Sequence, residues 1–225
     1  MRAPLAPAVF GTAAVLTGAA AVDAAQHAVA NPNSRTALVG VYCLLRACVA
    51  VAFATCTVGR RAPHKESRQP LAIAACALAL TAVVAMSAPK SGTPQELSLA
   101  GELIAVVFSI WLLVSVATLG RCFGVLPEAR GLVTRGPYRW VRHPVYLGEI
   151  GACAGLVIAS PTLANATLLG LFGAAQAVRM RFEERALAGA FPEYAEYAAR
   201  TSGLVPRVRL LRTARFDTTP HLHPD

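Results

Sequence analysis

The residues best suited to chemistry lie in one polar stretch and in a short charged segment that follows it. The stretch, 131–149, reads GLVTRGPYRWVRHPVYLGE and places three arginines, one histidine, two prolines and two tyrosines directly before an apolar run. The charged segment, 179–184, reads RMRFEE and follows another apolar run. Polar groups that converge beside apolar surface are typical of small-molecule sites. The pattern therefore indicates a ligand site at the edge of a membrane.

Within the stretch, the pair His143-Pro144 predicts the start of a helix. Proline is favoured in the first helical turn because its missing N–H is not needed there. Backbone N–H groups at such an end can bind an anionic group such as a carboxylate. Tyr138 and Tyr146 add rings that can stack on a heteroaromatic ring or lie over a cation. The same residue types also anchor basic loops at membrane interfaces, so the residues alone leave both interpretations open.

In the charged segment, Arg179 and Glu183 are four residues apart and so share one face of a helix. One interpretation is a surface ion pair worth about 0.2–1 kcal/mol. The other is a binding pair, in which the carboxylate holds a cation or hydroxyl and the guanidinium grips a carboxylate in bidentate fashion. Because Arg179 directly follows an apolar run, it is expected at membrane depth, which favours the binding interpretation.

The elements that must position these residues are strongly apolar. Hydrophobic residues make up 55% of the chain, charged residues only 15%, and the mean hydropathy is +0.50. A soluble domain carries about 25% charged residues. We therefore predict an all-α integral membrane protein. The net charge of +9 is explained by the Lys and Arg that gather on cytoplasmic flanks, and we expect no nucleic acid as a partner.

The apolar runs predict about six transmembrane helices. They lie at approximately 5–22, 36–58, 70–88, 97–119, 145–160 and 163–178. The first run has features of a signal peptide; cleavage would leave five spans, but we favour a retained helix. An amphipathic cytoplasmic helix, interrupted by Pro192, is expected over 181–200. Lys and Arg are concentrated in the second and fourth loops and after the last span, which places both termini on the cytoplasmic side.

Two charges inside the predicted spans are expected to pair with each other. Arg46 lies near the middle of the second span, where a charge costs about 3 kcal/mol. Glu102 lies in the first turns of the fourth span, at comparable depth if both spans run in the same direction. The six cysteines show no metal-ligand spacing with histidine, so no metal site is expected.

Common soluble-enzyme motifs are missing from the chain. The sequence contains no GxGxxG, GxxxxGK[ST], HExxH or GxSxG, and the βαβ pattern of a soluble Rossmann enzyme is also missing. What the sequence does contain is LVTRGPYRWVRHPVYLGE, then R-x-x-x-E-E-x-x-L, then a phenylalanine and E-Y-x-x-Y. This combination resembles the isoprenylcysteine carboxyl methyltransferase family and, more loosely, the membrane phospholipid N-methyltransferases.

The resemblance covers about 120–206 and implies methyl transfer from S-adenosylmethionine to a lipophilic acceptor at the cytoplasmic membrane surface. By position, it implies that the cofactor pocket is formed by Arg130, Gly131, Leu132, Val133, Tyr138, His143, Pro144, Val145, Tyr146 and Glu183. It implies that Arg179 is the catalytic, substrate-facing arginine. Two departures from the family pattern are the shorter Phe191-Pro192-Glu193-Tyr194 and the Ala129-Arg130-Gly131 that precedes Leu132.

These observations divide the chain into three parts. Residues 1–119 are expected to be N-terminal transmembrane helices, 120–206 a catalytic core with a helical hairpin, and 207–225 a basic, disordered tail. The Ala and Arg richness suggests a bacterial cell membrane. The expected partners are the bilayer and a lipophilic or lipidated substrate, and the sequence does not predict an oligomeric state.

We expect carboxyl O-methylation of an isoprenoid or an isoprenylcysteine-like substrate. A carboxylate needs no general base, only a group such as Arg179 to orient it. An amine acceptor must lose a proton, and no base is evident near Arg179 in the sequence. The alternatives are phospholipid or other lipid N-methylation, a nicotinamide-dependent membrane reductase that shares the C-terminal pattern, and a non-catalytic multi-span protein in which Arg46 is the pathway charge.

Overall fold

A computed structural model describes residues 5–58, 61–62, 69–86, 94–124 and 126–206. The α-helices are α1 (Leu5–Ala30), α2 (Ser34–Val58), α3 (Pro70–Ala85), α4 (Gln95–Leu119), α5 (Pro144–Ala159), α6 (Leu163–Ala190) and α7 (Tyr194–Arg200). Within these described ranges the chain forms no β-strand, and one isolated bridge joins Val141 to Ser202. The all-α prediction is confirmed. The predicted disordered tail, 207–225, lies outside the described residues.

The helices α2 to α5 coincide closely with predicted apolar runs, whereas the boundaries of α1 and α6 differ. The first helix extends beyond the predicted run of 5–22, because α1 continues to Ala30 and brings Asp23 within 3.6 Å of His27 one turn later. The turn that follows ends at Asn33, whose Oδ1 accepts the N–H of Thr36 at 2.9 Å and so caps α2.

The predicted break between the sixth apolar run and the amphipathic helix does not exist. α6 runs without interruption from Leu163 to Ala190, because no helix-breaking residue stands between the apolar half and the charged half. The chain leaves the helix at Pro192, which cannot donate a backbone hydrogen bond inside a helix. The predicted amphipathic helix over 181–200 is therefore the end of α6 followed by the separate, short α7.

Two of the described helices are long and apolar enough to cross a membrane: α2, and α4 with the short turn that extends it to Cys122. α3 and α5 are apolar but contain only 16 residues each, fewer than the ~20 that a span usually requires. The prediction of six transmembrane helices is therefore not supported.

The helix α4 is central to the bundle, because it packs against both α2 and α5, while α1 packs on α2 and α3 on α6. α2 and α4 run parallel. Near their starts, Nε of Arg35 lies 3.5 Å from Oε1 of Glu102, and beyond their ends the N–H of Arg61 donates to the carbonyl of Arg121 at 2.9 Å. Glu102 thus pairs with Arg35 instead of Arg46, whose guanidinium lies 5.7 Å from the ring centroid of Tyr42.

The antiparallel helices α4 and α5 approach so closely that glycine is required at their contact. A Cβ atom added to Gly101 would lie 2.4 Å from the backbone nitrogen of Ala159, and one added to Gly155 would lie 2.5 Å from that of Ala105. Small residues let helix backbones approach in this way. This contact joins the start of α4 to the end of α5. Nearer the start of α5, a Cβ atom added to Gly148 would lie 2.8 Å from Cβ of Leu112, so the two helices are also close beside the polar stretch.

Candidate functional site

A cavity lies at the end of the bundle where α4 ends and α5 begins, and it brings the two predicted segments together. It is a narrow cleft that is partly open to solvent. The lining residues are Leu119, Cys122, Glu128, Gly131, Leu132, Val133, Tyr138, Arg142, His143, Glu183, Leu187, Tyr194 and Tyr197. The lining thus includes part of the polar stretch, Glu183 of the charged segment, and α7.

Gly131, Leu132 and Val133 form one wall of this cavity. Gly131 is needed there because a Cβ atom at this position would lie 2.6 Å from Sγ of Cys122. The glycine therefore lets the loop pack directly on the end of α4. Of the residues that the resemblance assigns to a cofactor, these three line the cavity together with Tyr138, His143 and Glu183.

Tyr146 and Glu183 connect α5 to α6 beside the cavity. The hydroxyl of Tyr146 donates to Oε2 of Glu183 at 2.8 Å. The ring of Tyr146 also lies near His143, with centroids 5.6 Å apart. The start of α5 is in turn held on α4, because Nε1 of Trp111 donates to the carbonyl of Pro144 at 2.9 Å. Tyr146 itself does not belong to the lining, but it positions a carboxylate that does.

The neighbouring Glu184 has a different role, as the anchor of the polar stretch. Its Oε1 lies 3.0 Å from Nε2 of His143 and accepts from Nε of Arg142 at 3.0 Å. The hydrogen bond with His143 is the main reason that the pKa of Glu184 falls from its ordinary value of 4.5 to about 2, and Arg142 lowers it further. Glu184 is therefore a carboxylate at neutral pH.

Arg142 also fastens α7 over the cavity. Its Nη1 donates to the carbonyls of Ala198 and Thr201 at 2.9 and 2.8 Å. These carbonyls belong to the C-terminal end of α7, which lacks intrahelical donors and favours a cation. The N–H groups of Arg142 and His143 also donate to the carbonyls of Ser202 and Gly203, at 2.8 and 3.1 Å.

A buried tyrosine completes this attachment from the α7 side. The hydroxyl of Tyr197 donates to the carbonyl of Tyr138 at 2.6 Å. Burial raises the pKa of Tyr197 to about 12, so the hydroxyl stays protonated and able to donate. Together with the contacts of Arg142, this bond makes α7 and the segment 201–203 a cover on the cavity.

Arg179 lies next to the cavity but not in its lining. Its Nη1 donates to Oε1 of Gln176 at 2.6 Å and lies 3.9 Å from Oε2 of Glu149. Its guanidinium is 5.0 Å from the ring centroid of Tyr146. The side chains of Arg179 and Glu149 are only 12% and 18% exposed. The predicted substrate-facing arginine is thus already accompanied by a carboxylate that the sequence analysis did not single out.

The other predicted residues outside the lining have contacts of their own. Arg130 pairs with Glu128 and donates to the carbonyl of Arg61, so it attaches the cavity loop to the end of α2, and Glu128 lines the cavity in its place. Pro144 is fully buried at the start of α5 and Val145 is half-buried beside it. No group of three or more His, Cys, Asp or Glu suited to a metal ion occurs among the residues described.

Sequence reasoning missed several lining or anchoring residues, and for some of them a signal was available. Glu184 stands beside Glu183 in the quoted motif, and Tyr194 and Tyr197 are the tyrosines of E-Y-x-x-Y. The sequence predicted no separate role for any of these three residues. Cys122, Leu119 and Leu187 carry no signal of this kind, because nothing local distinguishes them from other apolar residues.

The helices α4, α5 and α6 and the loop between α4 and α5 fall in one segment that matches a known protein family. Residues 97–194 match the model of the phospholipid methyltransferase family. This match confirms, for that segment, the methyltransferase superfamily predicted from the sequence; it does not confirm the narrower isoprenylcysteine carboxyl methyltransferase family. The phospholipid methyltransferase segment contains α4, α5 and α6 and begins α7. Methyltransferases of this superfamily generally use S-adenosylmethionine.

Two curated proteins are similar to part of the chain. The cobalt-zinc-cadmium resistance protein CzcN of Cupriavidus metallidurans is 41% identical over 104 residues, which is 44% of this chain and 48% of the relative. The nickel-cobalt-cadmium resistance protein NccN of Alcaligenes xylosoxydans xylosoxydans is 34% identical over 105 residues, again 44% of this chain and 49% of the relative. The chain therefore spans about half the length of the curated relatives it matches.

Proposed function

We propose that this chain is a membrane methyltransferase that moves a methyl group from S-adenosylmethionine to a lipophilic acceptor. The observation that carries the proposal is the cavity in which Gly131–Val133, His143 and Glu183 meet, inside the segment that matches the phospholipid methyltransferase family. The expected partners are the bilayer and a lipid or lipidated substrate.

The groups that line the cavity suit this methyl donor. S-adenosylmethionine supplies a methyl group activated by a sulfonium, so the protein itself needs no electrophile. Glu183 would hold an ammonium or ribose hydroxyl group, since a carboxylate accepts hydrogen bonds from both. The rings of Tyr138 and His143 offer faces for a heteroaromatic group or a cation. The backbone of Gly131–Val133 offers amide groups close to the cavity because the glycine permits a close approach to α4.

The chain's own contribution is positioning and the exclusion of water. Holding two reactants in a productive geometry can lower a barrier by several kcal/mol, on the order of 7–11 kcal/mol in the best intramolecular cases. Tyr146 orients Glu183 through a 2.8 Å hydrogen bond. Arg142 holds α7 over the cavity through the carbonyls of Ala198 and Thr201. These contacts would keep the reacting groups aligned and dry.

For the acceptor, we propose a nitrogen of a lipid headgroup first. The supporting observation is Glu149, which lies 3.9 Å from Arg179 and bonds to Gln176. A carboxylate acceptor at Arg179 would have to share the guanidinium with Glu149. The two negative carboxylates would then repel each other. An amine acceptor would instead be attracted by Glu149, which also supplies the proton acceptor that the sequence analysis did not find.

Carboxyl O-methylation of an isoprenoid or isoprenylcysteine-like acid is the second candidate. Its support is Arg179, which contacts the ring of Tyr146 next to the cavity. An arginine is the usual partner for orienting a carboxylate. In this case Glu149 would weaken the ion pair between the guanidinium of Arg179 and the acceptor carboxylate. The acceptor oxygen would then be more nucleophilic than in a tight ion pair.

We also propose a multi-pass location in a bacterial cell membrane, with α2 and α4 crossing it. Both helices meet the length and composition requirement and run parallel, so the chain between them, which contains the 16-residue α3, would cross back as a short span. Arginines are concentrated at the shared end where the cavity lies, namely at Arg61, Arg121, Arg130, Arg135, Arg139 and Arg142. By the positive-inside rule this end faces the cytoplasm. The names of the two relatives suggest that the methylation supports tolerance of transition metals.

The direct test uses membranes from cells that express the full chain, incubated with S-adenosylmethionine labelled in its methyl group. We expect label in the lipid extract that survives mild alkaline hydrolysis, as an N-methyl group does. Label released as methanol would instead identify an ester and the carboxyl candidate. If neither the lipid extract nor any lipidated protein carries label above the level of membranes without the chain, the proposed function is wrong. Saturable binding of a nicotinamide would then support the reductase alternative.

A further inference from the structure

The short helix α7 presents two tyrosines to the cavity. Within the described residues, only one of their hydroxyl groups makes a hydrogen bond. Tyr194 and Tyr197 both line the cavity, with ring centroids 6.1 Å apart. Both are 5% exposed. The hydroxyl of Tyr197 donates to the carbonyl of Tyr138 at 2.6 Å. The hydroxyl of Tyr194 is buried and has no hydrogen-bond partner within the described ranges.

An unpartnered buried hydroxyl is unfavourable for the folded chain. Nearly all buried polar groups in proteins find a partner, and an exception calls for an explanation. A phenylalanine would fill the same space without an unsatisfied group, so packing alone does not explain the hydroxyl of Tyr194. Its location in the lining of the candidate site supplies an explanation, because a bound molecule can provide the missing partner.

The chemistry around Tyr194 indicates what it would bind. Burial, and next the nearby charge of Glu184, raise the pKa of Tyr194 far above its ordinary value, so the group remains a neutral O–H. Such a group can donate to an oxygen or ring nitrogen and can also accept a hydrogen bond. Leu187 and Leu132 line the same cavity, so the cavity combines a polar hydroxyl group with apolar side chains. An S-adenosyl compound presents both kinds of surface.

We propose that Tyr194 is a binding residue for the methyl donor, and that its hydroxyl makes a hydrogen bond to S-adenosylmethionine and to the product S-adenosylhomocysteine. The inference rests on the proposed function, since it names a further contact of the same cavity. It assigns different tasks to the two tyrosines of α7. Tyr197 attaches α7 to the polar stretch, whereas Tyr194 contacts the ligand.

The pair provides a matched experiment on the purified full chain in detergent. Isothermal titration with S-adenosylhomocysteine measures affinity, and thermal unfolding without ligand measures stability. For Tyr194→Phe we expect an affinity about tenfold lower, the upper range for one hydrogen bond, with an unfolding temperature equal to or above that of the wild type. For Tyr197→Phe we expect a lower unfolding temperature, because the carbonyl of Tyr138 loses its donor.

The outcomes separate the inference from the function on which it rests. If the wild type binds S-adenosylhomocysteine and Tyr194→Phe binds it equally well, Tyr194 is not a donor-binding residue. A drop in the unfolding temperature of Tyr194→Phe similar to that of Tyr197→Phe would show a structural role and overturn the inference as well. If the wild type itself does not bind S-adenosylhomocysteine, both the inference and the proposed function fail.

Discussion

The hydroxyl of Tyr146 donates a 2.8 Å hydrogen bond to Oε2 of Glu183, which joins the first turn of α5 to the charged half of α6. The two residues are 37 positions apart in the chain. Glu183 lines the cavity and Tyr146 does not, so the bond orients a cavity carboxylate from behind. This relationship leads to the first prediction.

Replacing Glu183 with glutamine should weaken binding of S-adenosylhomocysteine by about tenfold or more, because hydrogen bonds to a charged group are worth about 1.5–3 kcal/mol. Tyr146→Phe should produce a smaller loss, since it frees the carboxylate without removing it. Titration calorimetry of both variants and of the double variant measures the coupling between them. Glu196→Gln is the control, because that side chain is 74% exposed and pairs only with Arg200 among the residues described. Fully additive losses would contradict the orienting role of Tyr146.

The pair of Glu184 with His143 and Arg142 should make stability depend on pH in the acidic range. The folded-state pKa of Glu184, about 2, is below the ordinary value of 4.5. The carboxylate therefore stabilises the fold above pH ~4.5, and this contribution is lost as the pH falls through about 2. Glu184→Gln should unfold at a lower temperature than the wild type at pH 7.

The difference in unfolding temperature between the wild type and Glu184→Gln should shrink steadily from pH 5 down to the lowest pH at which the wild type still folds. Thermal scans at several pH values in one detergent measure it. The surface variant Glu196→Gln should show little difference from the wild type at any pH, because an exposed ion pair contributes little. A Glu184→Gln deficit that stayed constant across this range would show that ionisation of Glu184 is not involved.

The glycine contact between α4 and α5 should tolerate no added methyl group. Gly155→Ala would place a Cβ atom 2.5 Å from the backbone nitrogen of Ala105 and 2.6 Å from the carbonyl oxygen of Gly101. Neither atom can move without shifting a helix, so we expect destabilisation of about 1–3 kcal/mol. Gly170→Ala in α6 is the matched control, since among the described residues no atom outside the neighbouring backbone of α6 lies within 4 Å of the new methyl group.

For the control substitution we expect a gain of about 0.5–1 kcal/mol, because alanine is the better helix former. Chemical unfolding in mixed micelles, followed by helical circular dichroism, measures both variants. Equal effects of the two substitutions would mean that α4 and α5 are not packed as closely as the structure shows.

The pair formed by Arg179 and Glu149 should show thermodynamic coupling. The two side chains are largely buried, and Gln176 contacts both. Removing one charge leaves the other without its partner, so Arg179→Gln and Glu149→Gln should each lower stability. The double variant should lose less stability than the sum of the two single losses, which corresponds to a coupling free energy of about 0.5–3 kcal/mol. A double-mutant cycle of unfolding temperatures tests this, and simple additivity would show that the two charges act independently.

The same variants distinguish the two acceptors. If the acceptor is an amine, Glu149→Gln should lower the rate of methyl transfer more than the affinity for S-adenosylhomocysteine, because the proton acceptor is lost. If the acceptor is a carboxylate, Arg179→Gln should have the larger effect on the rate, and Glu149→Gln a small one. Initial rates and product affinity measured on the same preparations separate these cases.

Local patterns in the sequence determined the helical class, the apolar character and the positions of most helix ends. Pro144 predicted the start of α5, because this signal acts within one helical turn. The two segments that supply the cavity were also recognisable, since their polar residues stand directly beside apolar runs. The superfamily followed from the same residues.

The tertiary structure alone decided how these parts are connected. Glu183 and Glu184 are neighbours, yet one faces the cavity with Tyr146 and the other anchors Arg142 and His143. Glu102 pairs with Arg35, although Arg46 was the charge expected to reach it. Hydropathy predicts that a residue is buried or exposed, but it does not specify a partner. Partners depend on the rotation and spacing of whole helices, which are set here by contacts between distant residues such as Gly101 and Gly155.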